Sequence, residues 1–90
     1  MNFEFTLNAW QGFEYWLDHD AEVAEKIREL LKDISRHPFQ GLGKPEPLKF
    51  DFMGYWSRRI SGEHRPVYKV EGSKGKDQKC MTLQCRFHYY

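Results

Sequence analysis

The sequence lacks most of the features that readily betray a function. It has two cysteines in 90 residues, Cys80 and Cys85, and neither has a neighbour at zinc-ligand spacing. His19, His37 and His64 have no metal partner at ligand spacing either, so no metal or other cofactor is expected. Five residues apart on one expected strand, the two thiols should face opposite ways and remain unbridged. Unbridged thiols and the lack of a basic-then-apolar leader point to a reduced, cytoplasmic protein. No apolar run approaches membrane-spanning length, which excludes a helical membrane protein. Repeats and low-complexity segments are missing. The only linker-like stretch, Gly72-Ser73-Lys74-Gly75-Lys76-Asp77, is short enough to be a hairpin loop.

Net charge is also scarce, at +1, but its distribution is uneven. Residues 1–35 carry eight acidic and three basic side chains, a net of −5, and residues 36–90 carry five acidic and eleven basic, a net of +6. The C-terminal part is therefore a cationic surface of the kind that attracts polyanions, although Lys and Arg also serve to keep strand edges soluble. Aromatics are plentiful: three Trp, five Tyr and seven Phe. A chain this short reads as one domain, residues 1–90, with a limited core, so most of these rings are needed for packing. Trp10, Trp16 and Trp56 are assigned there.

Asn2 to Leu7 alternate as a short strand. Asn8 is a candidate cap for a helix whose aromatic face is Trp10, Phe13, Tyr15, Trp16 and Leu17 and which ends near His19. Asp20 caps a second helix, in which Val23, Ile27, Leu30, Leu31 and Ile34 recur at amphipathic spacing; Arg36-His37-Pro38 stops it. From Phe39 to Gly54 the chain reads as irregular, with Pro45 and Pro47 stiffening the backbone around Glu46. Tyr55 to Ile60 and Arg65 to Val70 read as a hairpin turning at Ser61-Gly62-Glu63, with Pro66 suggesting an edge position or a site where the missing N–H is not needed. Lys79 to Tyr89 reads as the last strand, with Met81, Leu83, Cys85 and Phe87 on its apolar face and Thr82, Gln84, Arg86 and His88 on its polar one. The expected fold is α+β: two N-terminal helices packed on one side of a twisted, mostly antiparallel sheet.

The chemistry is concentrated in three places. The tail Arg86-Phe87-His88-Tyr89-Tyr90 gathers a cation, a group that titrates near neutral pH and two more rings. Pro45-Glu46-Pro47-Leu48-Lys49 offers a braced carboxylate, and Arg58, Arg59 and Arg65 offer guanidinium groups. RNA carries its own nucleophile, the 2′-OH, so cleaving it needs a base, an acid for the departing 5′-oxygen and cations for the crowded phosphorane. Glu46 suits the base and His88 the acid. Arg65, Arg59 and Lys49 suit the phosphate. Strand parity allows the polar faces carrying Arg65, Arg59, Arg86 and His88 to form one cationic concavity with Glu46 at its rim. Each residue also has an ordinary reading: a loop carboxylate, solvated strand arginines, a surface histidine, a packing tyrosine at Tyr89. Their conjunction carries the argument.

Gly43-Lys44-Pro45-Glu46-Pro47-Leu48-Lys49, Gly54-Tyr55-Trp56-Ser57-Arg58-Arg59-Ile60, Glu63-His64-Arg65 with Val67-Tyr68, and Cys85-Arg86-Phe87-His88-Tyr89 together resemble the YoeB/Txe group of bacterial toxins, within the RelE/ParE superfamily. The likeness covers nearly the whole chain. It implies the RelE-like microbial RNase fold and a ribosome-dependent messenger endoribonuclease, the toxin of a type II toxin–antitoxin pair. By motif position it implies Glu46 as base, His88 as acid, Arg65 as transition-state stabiliser, Lys49 and Arg59 as helpers, and Tyr89 as the aromatic after the histidine. The implied partners are an antitoxin of the YefM or Axe type, the 70S ribosome with its mRNA, and a second copy in a homodimer. A non-catalytic toxin of this fold that inhibits a protein such as DNA gyrase is the competing reading, and a degenerate toxin kept as an operon co-repressor is a third. The acid, base and guanidinium set argues for the nuclease.

Overall fold

The computed structural model describes residues 1–60, 62 and 64–86. Strand β1 (Asn2–Phe5) runs almost directly into helix α1 (Leu7–His19). Thr6 joins them: its hydroxyl accepts the Ala9 N–H at 3.1 Å and donates to the Leu83 carbonyl at 2.8 Å. One side chain thus caps the helix and ties its start to the last strand. Asn8, the expected cap, lies inside the first turn, because the extended residue that directly precedes the helix is Thr6. Asp20 caps α2 (Ala21–Arg36) as expected, accepting the N–H groups of Glu22 and Val23. The helix stops two residues before Pro38.

Strands β2 (Glu46–Pro47), β3 (Trp56–Ser57), β4 (Val67–Glu71) and β5 (Lys79–Gln84) complete one sheet in the order β1-β5-β4-β3-β2. β1 runs parallel to β5 and the other pairings are antiparallel, so the architecture is the expected α+β one. The strands are shorter than their alternation suggests, and β2 arises within the stretch expected to be irregular. Pro47 has no N–H to donate, which a strand at the sheet edge tolerates. No helix is long and apolar enough to cross a membrane among the described residues.

Both helices pack on one face of the sheet. Ala9, Phe13 and Trp16 of α1 meet Ala24, Ile27 and Leu30 of α2 over Ile60 and Cys85, and Ile34 closes a second cluster over Tyr68 and Cys80. Trp10 does not join them: it is 44% exposed and rests on Phe5 and Phe13.

The face assignment of β5 needs correction. Cys80 and Thr82 are fully buried under the helices, whereas Met81 and Leu83 are only partly covered. Cys80 and Thr82 lie opposite Val70 and Tyr68, whose row faces the helices, and a bulge follows: Tyr68 pairs with Thr82 but Val67 pairs with Gln84, so β5 carries one extra residue. The extra residue shifts the alternation and returns Cys85 to the helix side. Both cysteines therefore share a face, contrary to parity, yet both are free thiols.

Arg58, named above among the candidate guanidinium groups, is fully buried. Its Nε donates to the Tyr68 hydroxyl at 3.1 Å, one terminal nitrogen to Asp33 Oδ2 at 2.5 Å and Leu42 O at 3.1 Å, and the other to His37 O at 2.6 Å and Gln40 O at 2.9 Å. All five guanidinium donors are used. Tyr68 donates in turn to Pro38 O, and Asp33 accepts the Leu42 N–H. At Gly41 (φ +108) a Cβ would collide with the Asp33 carboxylate, so this connection requires glycine. Residues 37–42 are thereby sewn onto the sheet.

Arg58→Met removes the charge and orphans several buried acceptors, and should cost about 3–5 kcal/mol in a urea titration. Burial alone would raise the Asp33 carboxyl. The Arg58 hydrogen bond, the Leu42 N–H and the Arg58 charge outweigh it and hold the group below 3.8. A depressed native pKa stabilises the fold at pH values above the unfolded one, and that stabilisation is lost as pH falls through the native value. Melting curves of wild type and Asp33→Asn should therefore converge on acidification below about pH 4 and separate above it.

Candidate functional site

Residues directly opposite each other across a sheet point to the same face. Pro47, Trp56, Tyr68 and Thr82 form one such row, and it is the row beneath the helices. The adjacent row is Glu46, Ser57, Val67 and Gln84, which therefore lies on the opposite, helix-free face. Ser57 and Val67 are fully buried and form the floor. Arg65 lies two residues before Val67, and its guanidinium meets Glu46 at the end of this row.

Arg65 Nη1 is 3.5 Å from Glu46 Oε2. The Arg65 side chain is 14% exposed and that of Glu46 is 57% exposed. A pair this long and this wet contributes about 0–1 kcal/mol, so stability does not explain the juxtaposition. Arg65 Nε–H and Ser57 Oγ are buried without a hydrogen-bond partner among the described residues. The arrangement is a carboxylate able to take a proton beside a cation with donors to spare. The sheet edge supplies the carboxylate, and the hairpin closed by Ile60 N–H to His64 O supplies the cation.

The remaining expected residues divide. Lys49 is exposed at the start of a short 3₁₀ turn, Phe50–Phe52, at the tip of the β2–β3 hairpin. Arg59 is exposed, and its N–H donates to Gly43 O at 2.7 Å. Its side chain lies with Lys26 and Lys44 along a groove of about 290 Å³ over Leu30 and Leu42, between α2 and the following connection. Neither cation is ion-paired with the Glu46–Arg65 couple. Arg86 does not join the sheet face either: its guanidinium sits 3.5 Å from the centre of the Tyr15 ring on α1. The single cationic concavity expected from parity is thus reduced to Glu46 and Arg65 among the described residues. His88 and Tyr89 lie outside the described residues, as do Ser61 and Glu63.

Arg58 was legible in hindsight. Trp56, Arg58 and Ile60 share strand parity, and a cation between two apolar neighbours on a core-facing strand is the mark of a buried one. Cys80 and Cys85 are not nucleophiles at neutral pH, since burial pushes their thiols up to about 11 and about 12. His64 rests edge-on against Trp16 at 4.8 Å.

Known proteins share this framework. The model of the YoeB-like toxin of bacterial type II toxin–antitoxin systems matches residues 5–89. Toxin YoeB of Streptomyces coelicolor is 45% identical over 99% of this chain and 100% of its own length. The YoeB/ParE toxin of Agrobacterium tumefaciens superposes with a TM-score of 0.93 at 53% identity, covering 99% of this chain and 100% of that one. A Staphylococcus aureus YoeB dimer gives a TM-score of 0.87 at 40% identity, covering 99% of this chain and 98% of that one. The same toxin in a heterotetrameric YoeB–YefM toxin–antitoxin complex gives 0.86 at 40%, with the same coverage. A family model spanning nearly every residue, and relatives of equal length that keep two helices over one mixed sheet, place this chain in the YoeB family of bacterial type II toxins.

Proposed function

We propose that this toxin is a ribosome-dependent mRNA endoribonuclease that works without a metal. The observation that carries this reading is the Glu46–Arg65 couple on the helix-free face: an exposed proton acceptor 3.5 Å from a largely buried guanidinium, in a contact too weak to exist for stability. Glu46 takes the proton from the 2′-OH, and the 2′-oxygen attacks the adjacent phosphorus. The bond from phosphorus to the 5′-oxygen breaks, and His88 protonates the departing oxygen. The products are a 2′,3′-cyclic phosphate and a 5′-hydroxyl, so atoms and protons balance. Arg65 stabilises the charge on the phosphorane, Lys49 and Arg59 hold flanking phosphates, and Tyr89 stacks on a base.

The asymmetric charge supports a polyanionic substrate. The Staphylococcus aureus relative supports the partners: a YefM-type antitoxin that holds the toxin inactive, and a second copy in a homodimer. The site of action in this reading is the cytoplasm, on 70S ribosomes translating the message.

Purified toxin added to translating ribosomes should cut the message within codons. Glu46→Ala and His88→Ala should each lose about 100- to 10,000-fold in rate, and Arg65→Met about 100- to 1000-fold, with circular dichroism unchanged. Full activity in both the Glu46 and His88 variants would show that the base and acid are misassigned. Ribosome association should weaken steeply between low and physiological salt, and a flat salt response would count against phosphate contacts.

A further inference from the structure

We propose that one face of α1, made by Gly12, Tyr15 and Trp16, positions the C-terminal end of the chain for catalysis, with Tyr15 as its key positioning residue. The inference rests on the ribonuclease reading, which puts the acid at His88, two residues beyond Arg86.

The three residues stand at i, i+3 and i+4, so they share a helix face. Each meets Cys85 or Arg86 in a different way. Trp16 Nε1 donates to Cys85 O at 3.0 Å in a buried bond. The Tyr15 ring receives the Arg86 guanidinium at 3.5 Å. Gly12 is buried, and a Cβ there would stand 3.3 Å from Arg86 Cβ and 3.5 Å from Arg86 N. Glycine at this position lets the helix backbone approach the tail closely.

The location gives these contacts their consequence. Strand pairing along β5 ends at Gln84, and α1 takes hold of the next two residues. The Gln84 side-chain amide also donates to Arg86 O, at 3.3 Å. Trp16 fixes the backbone of the tail's first residue, Tyr15 fixes the side chain of its second, and Gly12 sets their height above the helix. Tyr15 is itself held edge-on to Trp16 at 5.0 Å and stacked with His19 at 4.1 Å. A general acid must lie within hydrogen-bonding reach of the oxygen it protonates, and an error of about 1 Å can cost about 100-fold in rate. The α1 face therefore sets the point from which the chain runs on to the acid, as the sheet row sets the base.

The test compares wild type, Tyr15→Leu, Tyr15→Phe, Gly12→Ala, Arg86→Met and the Tyr15→Leu/Arg86→Met double variant. Each is assayed for message cleavage on translating ribosomes and for melting temperature. Tyr15→Leu should lower kcat by about 100-fold with KM unchanged, and Tyr15→Phe, which keeps the ring, should restore it. The double variant should lose less than the product of the two single losses, because the two substitutions share one contact. Gly12→Ala should lower kcat while the melting temperature holds or rises, since alanine favours a helix more than glycine does. Wild-type kcat in Tyr15→Leu or Gly12→Ala, or losses that multiply in the double variant, would overturn the inference. If Tyr15→Leu does not fold, Gly12→Ala decides alone. An inactive wild type overturns the ribonuclease reading first and the positioning role with it, whereas an active wild type beside unimpaired variants overturns the positioning role only.

Discussion

The structure depends on one buried guanidinium. Arg58 collects the carboxylate of Asp33, the hydroxyl of Tyr68 and three backbone carbonyls from residues 37–42. A charge this deep is tolerable only when every donor is matched and a counter-charge is close. That requirement runs in reverse as well. Since the acceptors come from α2, the sheet and the loop between them, satisfying Arg58 fixes those three parts relative to one another. The next residue, Arg59, pins Gly43 through its N–H, and three residues later the chain reaches Glu46. The base of the proposed reaction is thus placed by a cation that takes no part in it.

Two consecutive arginines therefore serve opposite ends because strand side chains alternate. Arg58 faces the helices beside Trp56 and Ile60. Arg59 reaches solvent near Lys26 and Lys44, along a groove separate from the Glu46–Arg65 contact. The row Glu46, Ser57, Val67 and Gln84 shows the same alternation used to build a surface: two small or apolar residues form a floor, and ionised groups stand at one side. The site is assembled from the edge of a sheet and the mouth of a hairpin, where backbone is held but side chains remain accessible.

The base and acid halves draw on different supports in this account. Glu46 depends on the Arg58 connection and on pairing to β3. Cys85 and Arg86 rest on α1, whose face is narrow at Gly12 and aromatic at Tyr15 and Trp16. The bulge in β5 turns Cys85 inward, and beyond the end of that strand Arg86 leaves the sheet and lies over Tyr15.

Local signals determined much of this protein by themselves. The cap at Asp20, the five apolar positions of α2, the stop before Pro38 and the 72–77 loop are all short-range: a propensity, a period or a turn residue decides each one. The family motifs likewise named Glu46 and Arg65, which the fold brings into contact. Only the tertiary structure decided that β1 pairs parallel with β5, that the Thr6 hydroxyl that caps α1 also donates to Leu83 O, and that Glu46 lies on a strand. It also decided that Arg58 is buried while Arg59 is not, and that one inserted residue brings Cys85 to the same face as Cys80. These features rest on partners distant in the chain or on a register shift by one residue. A periodicity of two or of 3.6 carries no information about either, because it describes which side chains share a face and not what that face will meet.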